Sequence, residues 1–145
     1  MQIRELRVCS DRELEQIGEL LGVLSPGCAA RREVMEEILR SDDAHLFVAT
    51  DTEGRIVGMA TVCCYTIPTG RHATIEDVVV LPECQGQGLG RRLVQTALDC
   101  LRDTGRAYKA GLTSKPARLA ANALYRSMGF RPKETNVYVM DINKD

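Results

Sequence analysis

Val78-Val79-Val80-Leu81-Pro82-Glu83-Cys84-Gln85-Gly86-Gln87-Gly88-Leu89-Gly90-Arg91-Arg92-Leu93 carries the reading of this chain. A valine-rich strand runs into Pro82, passes through a glycine-rich turn and opens into a helix whose Leu89, Leu93, Val94, Ala97, Leu98 and Leu101 form one apolar stripe. The first turn of a helix has backbone N–H groups without helical partners, and the helix dipole adds positive potential there. Glycines let a phosphate oxygen reach those groups without a side chain in the way. The stretch from Gly86 to Arg91 is therefore expected to seat a phosphate or pyrophosphate. A dinucleotide fingerprint begun at Gly86 would require glycine at Arg91, and no Walker loop occurs anywhere in the chain.

Outward from this turn, the elements form an α/β pattern. Residues 2–8 alternate polar and apolar and suit a first strand. Ser10 and Glu13 form a capping box ahead of Leu14, Ile17, Leu21 and Leu24, and Ser25-Pro26-Gly27 breaks that helix. A second amphipathic helix is predicted over 31–40. Strands at 46–50 and 56–65 flank Asp51-Thr52-Glu53-Gly54-Arg55 as a hairpin, and 74–81 is a third strand after them. The long helix covers 89–103 and is closed by Gly105. A strand near 108–113, a helix opened by Pro116 and ended near Gly129, and a last strand at 136–142 complete the order β-α-α-β-β-β-α-β-α-β. With 145 residues, no repeat and no linker, residues 1–145 are expected to be one domain.

Composition removes several function classes. Lys plus Arg is 19 and Asp plus Glu is 20, well interspersed, so no field recruits nucleic acid or an anionic membrane. No apolar run spans a bilayer, and the charged N-terminus lacks the apolar core of a signal peptide. The six cysteines make no C-x-x-C pair and the two histidines do not fall beside them, so no metal is expected. Free cysteines here point to a reducing cytoplasm, with Cys63 and Cys100 read as small buried hydrophobes.

Gln85-x-x-Gly88-x-Gly90, behind a valine-rich strand and Pro82, resembles the CoA pyrophosphate signature of the GNAT superfamily of N-acetyltransferases. Ala121-Asn122-Ala123-Leu124-Tyr125-Arg126-Ser127-Met128-Gly129-Phe130 resembles a second block of that family, A-x-x-x-Y-x-x-x-G-F. Ile75-Glu76-Asp77-Val78 is similar to the matching strand of spermidine/spermine and glucosamine-6-phosphate N-acetyltransferases. The match covers about residues 75–130; the N-terminal half agrees only in the order of its elements.

The resemblance implies a GNAT-like fold, a mostly antiparallel central sheet with helices on both faces. It implies acetyl-CoA as co-substrate, bound by Val78, Val80, Gln85, Gly86, Gln87, Gly88, Leu89, Gly90 and Arg91, with the backbone of Val78 and Val80 pairing the pantetheine arm. It implies Glu76 as the base that frees the amine, and Tyr125 as the acid that protonates the leaving thiolate. Arg118 stands where the family commonly has asparagine, leaving Asn122 as a substitute CoA contact. In a plain strand Glu76 and Asp77 point to opposite faces, so only one faces a cleft unless a bulge intervenes. On a helical wheel Arg118, Ala121, Asn122 and Tyr125 form the open side, and Leu119, Ala120, Ala123 and Leu124 the packed one. The acceptor is expected to be a small-molecule amine rather than a protein. A homodimer is one option, with 136–142 as its pairing edge. The competing reading is a non-catalytic CoA-binding sensor, or an interaction module, of the same fold.

Overall fold

A computed structural model describes residues 1–143. Internal packing divides the chain into two compact units, Met1–Thr113 and a second that begins at Ser114.

In the first unit the elements run β1 (Gln2–Glu5), α1 (Asp11–Leu24), α2 (Arg32–Arg40), β2 (Ala44–Thr50), β3 (Ile56–Ile67), β4 (Gly70–Val80), a short 3₁₀ turn (Pro82–Cys84), α3 (Leu89–Thr104) and β5 (Lys109–Gly111). The strands lie side by side in chain order, β1-β2-β3-β4-β5. The first three pairings are antiparallel and the last, β4 with β5, is parallel. This is the mostly antiparallel sheet expected from the sequence. β1 and β5 are shorter than the sequence pattern suggested, whereas β3 and β4 extend further into their connecting turn.

Local chemistry sets the boundaries. At the start of α1 the Glu13 amide donates to Ser10 Oγ (3.1 Å) and the Ser10 amide to Glu13 Oε2 (2.8 Å). Arg4 adds an ion pair to Glu13 at 2.7 Å. Burial acts to raise the Glu13 carboxyl, but these hydrogen bonds outweigh it and hold the group below its usual range. Arg32, at the start of α2, donates to the Cys9 carbonyl (2.6 Å) and to Asp11 (2.7 Å), tying the two helices' entrances together. α3 begins at Gly88 (φ +78°) and ends at Gly105 (φ +63°), left-handed conformations that glycine adopts without penalty.

α3 packs its stripe of Leu89, Leu93, Val94, Ala97 and Leu101 against the sheet. Leu93, Val94 and Ala97 are fully buried, as are Val48, Ala49, Ile56, Ala60 and Val62. Each fully buried leucine or valine contributes on the order of 1.5–3 kcal/mol. Contact is closest at Gly58, where an added Cβ would stand 3.2 Å from Leu93 Cδ1 and 3.3 Å from both Val79 O and Val80 Cγ2.

The second unit holds α4 (Leu119–Ser127). It starts three residues beyond Pro116, because residues 115–118 make a turn closed by the Arg118 amide on the Lys115 carbonyl (3.0 Å). The strand expected at 136–142 does not form: the segment is irregular, and Val137, Tyr138, Val139, Met140 and Ile142 are exposed. Alternation of apolar residues gives a segment the means to be a strand, but a strand exists only with a backbone partner. No partner pairs with 136–142 among the described residues, so the dimer edge expected there is not a strand in this chain. Cys63 and Cys100 are half-buried rather than core; the buried cysteines are Cys9 and Cys64.

Candidate active site

β4 carries an irregularity where the candidate base lies. Thr61 pairs with Glu76 and Met59 with Val79, so Ala60 alone faces both Asp77 and Val78. Asp77 absorbs the extra residue at φ +51°, the one positive φ outside glycine among the described residues. Aspartate tolerates this left-handed conformation better than most side chains. The bulge lifts the either/or imposed by plain strand alternation: Glu76 and Asp77 are both exposed. Both charges act on the Cys63 thiol of β3, although burial is the largest cause of that thiol's upward shift. Thr74 Oγ1 donates to Glu76 Oε1 at 2.9 Å and orients it. Asp77 is open on one side and crowded by protein on the other. That crowding, and then the neighbouring Glu76 charge, push its carboxyl above the usual aspartate value.

β4 is also half-open along one edge. β5 pairs only with His72, Ala73 and Thr74. From Ile75 to Val80 no strand among the described residues lies on that side, which leaves the backbone around Val78 available to an extended ligand. Val80 is less free. Its side chain is buried and its carbonyl accepts a hydrogen bond from Gln85 Nε2 (3.0 Å). The signature glutamine thus clasps the strand end to the turn that follows.

That turn has the form the sequence predicted. Gly86 and Gly88 sit at φ +79° and +78°, and a Cβ at either would meet open space, so the concavity is clear of protein. Gln85, Gly86, Gln87 and Gly88 line it, with Gly86, Gln87 and Gly88 exposed and Gln85 and Gly90 half-buried. No side chain caps α3 at Gly88, and the first helical bond joins the Arg92 amide to the Gly88 carbonyl (3.1 Å). The amides ahead of it face the turn with the helix dipole behind them. Leu89 belongs to the core through its side chain, so only its backbone can serve a ligand. Arg91 is exposed one turn along. These residues fit a pyrophosphate followed by an extended arm.

In the second unit the helical wheel is inverted relative to expectation. Tyr125 is buried, 6 % exposed, and Leu119 is 78 % exposed. α4 has apolar residues on every side, so its periodicity carried little information, and the ring's packing decides: Tyr125 meets Phe130 edge-on at 5.9 Å. Gly129, at φ +99°, turns the chain so that this contact can form. Burial raises the Tyr125 phenol above its ordinary value, with Arg118 opposing, so the hydroxyl keeps its proton. Asn122 Nδ2 donates to the Lys115 carbonyl at 2.9 Å, a structural tie that occupies the amide donor.

Sequence reasoning missed three participants. Asp77 was set aside because only a bulge could bring it round, and a non-glycine residue gives weak notice of one. Thr74 gave no signal beyond alternation, and Gly58 lay in a strand where nothing marked the close approach of α3.

Comparison with known proteins agrees with this geometry. The model of the acetyltransferase (GNAT) family matches residues 13–130. The chain is similar to glucosamine 6-phosphate N-acetyltransferase of Trypanosoma brucei brucei, 33% identical over 137 residues, 90% of each protein. It is 37% identical over 90 residues to streptothricin acetyltransferase of Streptomyces lavendulae, a match covering 61% of this chain and 45% of that protein. The chain thus spans less than half the length of that relative. Among solved structures, a putative acetyltransferase from Agrobacterium tumefaciens superposes with a TM-score of 0.83 at 27% identity, over 97% of this chain and 100% of that one. The bulged strand, the glycine turn and the uncapped helix are thus features of a chain that belongs to the GNAT acetyltransferase family.

Proposed function

We propose that this protein is an acyl-CoA-dependent N-acyltransferase that moves the acetyl group of acetyl-CoA to the primary amine of a small molecule. The observation that carries the reading is the continuous run from the half-open edge of β4, through Gly86 and Gly88, to the uncapped start of α3. It offers backbone for an extended arm and then amides for a pyrophosphate. Family membership supports the reaction class. The names of the relatives, streptothricin acetyltransferase and glucosamine 6-phosphate N-acetyltransferase, support a small amine acceptor for this chain. The six cysteines are free thiols, in keeping with a cytoplasmic enzyme.

In this reading Glu76, held by Thr74, removes a proton from the amine, because an ammonium has no lone pair with which to attack a thioester. The freed nitrogen attacks the acetyl carbonyl carbon directly. Tyr125 donates its phenolic proton to the departing sulfur, a role its raised pKa suits. A backbone N–H on the β4 edge near Val78 steadies the carbonyl oxygen as charge develops. Cys84 borders the phosphate turn rather than the bulge, which speaks against an acyl-cysteine route.

The test is a thermal melt with acetyl-CoA, using CoA, ATP and NAD as controls, followed by thiol release across a panel containing glucosamine 6-phosphate, streptothricin and simple polyamines. Ligand at 100 times its dissociation constant should stabilise the fold by about 2.7 kcal/mol. That corresponds to a rise of roughly 5–11 °C in a domain of this size. A rise confined to CoA species, with turnover of a panel amine, supports the reading. Folded protein that ignores CoA species overturns it, and CoA binding with every amine inert favours a CoA-binding module.

A further inference from the structure

Glu76 and Asp77 are neighbouring carboxylates, and no Lys, Arg or His among the described residues forms an ion pair with either. Glu76 has the Thr74 hydroxyl; Asp77 has no side-chain hydrogen-bond partner among the described residues. Yet the backbone spends a left-handed, non-glycine conformation to keep Asp77 at this position. Two like charges held together without a cation form a site whose missing component is positive. The ionisable groups in electrostatic reach are Glu76 on the same strand and Cys63 on β3, and neither supplies that charge.

Proton balance shows what a second carboxylate could do. On becoming an amide N–H, an alkylammonium nitrogen loses two protons. One leaves before the lone pair can form the C–N bond, and the other leaves once that bond exists. As the C–S bond breaks, sulfur departs with the electron pair and takes one proton, so each turnover releases one proton to solvent. A single carboxylate must shed its first proton to water before accepting the second; a pair need not.

We propose that Asp77 is a second catalytic carboxylate of this site, binding the incoming ammonium jointly with Glu76 and accepting one of the two protons its nitrogen loses, while Glu76 accepts the other. The inference rests on the proposed transferase reading and adds to it a preference for acceptors whose amine arrives protonated.

Carboxyl-detected NMR of the whole chain without CoA tests the binding half. Methylammonium is the probe, and tetramethylammonium, equally charged but without an N–H, is the control. Methylammonium should move the Asp77 and Glu76 signals with one shared affinity, tetramethylammonium should bind at least several-fold more weakly, and Asp77→Asn should weaken the Glu76 response several-fold. Asp77→Gly keeps the left-handed backbone and should match Asp77→Asn. A Glu76 response that is unchanged in both variants, or an Asp77 signal indifferent to methylammonium, overturns the proposal even if CoA binds as described above. With the panel amine that turns over, the acid limb of log kcat/KM against pH should have a slope of about two, falling to about one in Asp77→Asn, because two groups must be ionised and then only one. A slope of about one in the unaltered enzyme refutes the two-carboxylate role.

Discussion

Replacing Gly58 by alanine gives a sharp test of how α3 is seated on the sheet. The new Cβ would meet Leu93 Cδ1 at 3.2 Å, the Val79 carbonyl oxygen at 3.3 Å and Val80 Cγ2 at 3.3 Å. Ordinary van der Waals contact begins near 3.4 Å. Leu93 is fully buried and Val79 O is backbone, so neither swings aside without moving its neighbours. The helix must lift from the sheet by a few tenths of an ångström. Overpacking of this kind costs about 1–3 kcal/mol, against which the lost freedom of glycine in the unfolded chain returns about 0.4–1 kcal/mol. The net is a destabilisation of about 1–2 kcal/mol and a fall in melting temperature of roughly 2–8 °C. Gly18 in α1 supplies the control. Its nearest neighbours, the Ala30 Cβ and amide nitrogen, lie at 3.7 Å, so Gly18→Ala should gain about 1 kcal/mol from helix propensity alone. Thermal and urea unfolding of both variants decides the matter. A Gly58→Ala protein that melts at or above the parent temperature refutes the close seating of α3 on the sheet.

Gln85→Ala removes the clasp on the Val80 carbonyl, and with a net hydrogen-bond worth of about 0.5–1.5 kcal/mol, acetyl-CoA affinity measured by calorimetry should fall roughly 2- to 13-fold. Tyr125→Phe keeps the edge-on contact with Phe130 and should leave the melting temperature and acetyl-CoA affinity nearly unchanged while turnover falls about 10²–10⁴-fold; unaltered turnover removes its role as acid. Asp77→Asn gives a pH-dependent stability effect. The folded value of Asp77 is raised, so its stabilising contribution is complete below the unfolded value of about 3.9 and is lost as pH rises through the folded value. The asparagine variant should therefore melt above the parent at pH 7, and the gap should close as pH falls toward about 4; a gap independent of pH contradicts the raised carboxyl.

Legibility followed the strength of the local rule. The capping box at Ser10 and Glu13, the glycine that closes α3 and the glycine turn at 86–90 were readable because each is decided by a few adjacent residues. The sheet was readable up to β4 because hydrophobic alternation and turn residues agreed. Tyr125 was read on the wrong face because α4 is short and apolar all round, leaving its orientation to the Phe130 contact. The strand expected at 136–142 had the composition but not the partner. The Asp77 bulge is a register event between two strands, and register is a property of the pair, not of either segment.

The sheet's order has a further consequence, for synthesis on the ribosome. Because neighbours in the sheet are neighbours in the chain, β1 to β4 are complete once Val80 has emerged, and the β3–β4 hairpin, joined through Pro68 and Thr69, needs only local contacts. α3 and β5 are translated later, and until α3 arrives the sheet face at Gly58 that Leu93 will cover stands open to solvent. The nascent chain therefore passes through a stage in which a nearly finished sheet displays apolar surface, and that interval is when it depends most on shielding by a chaperone.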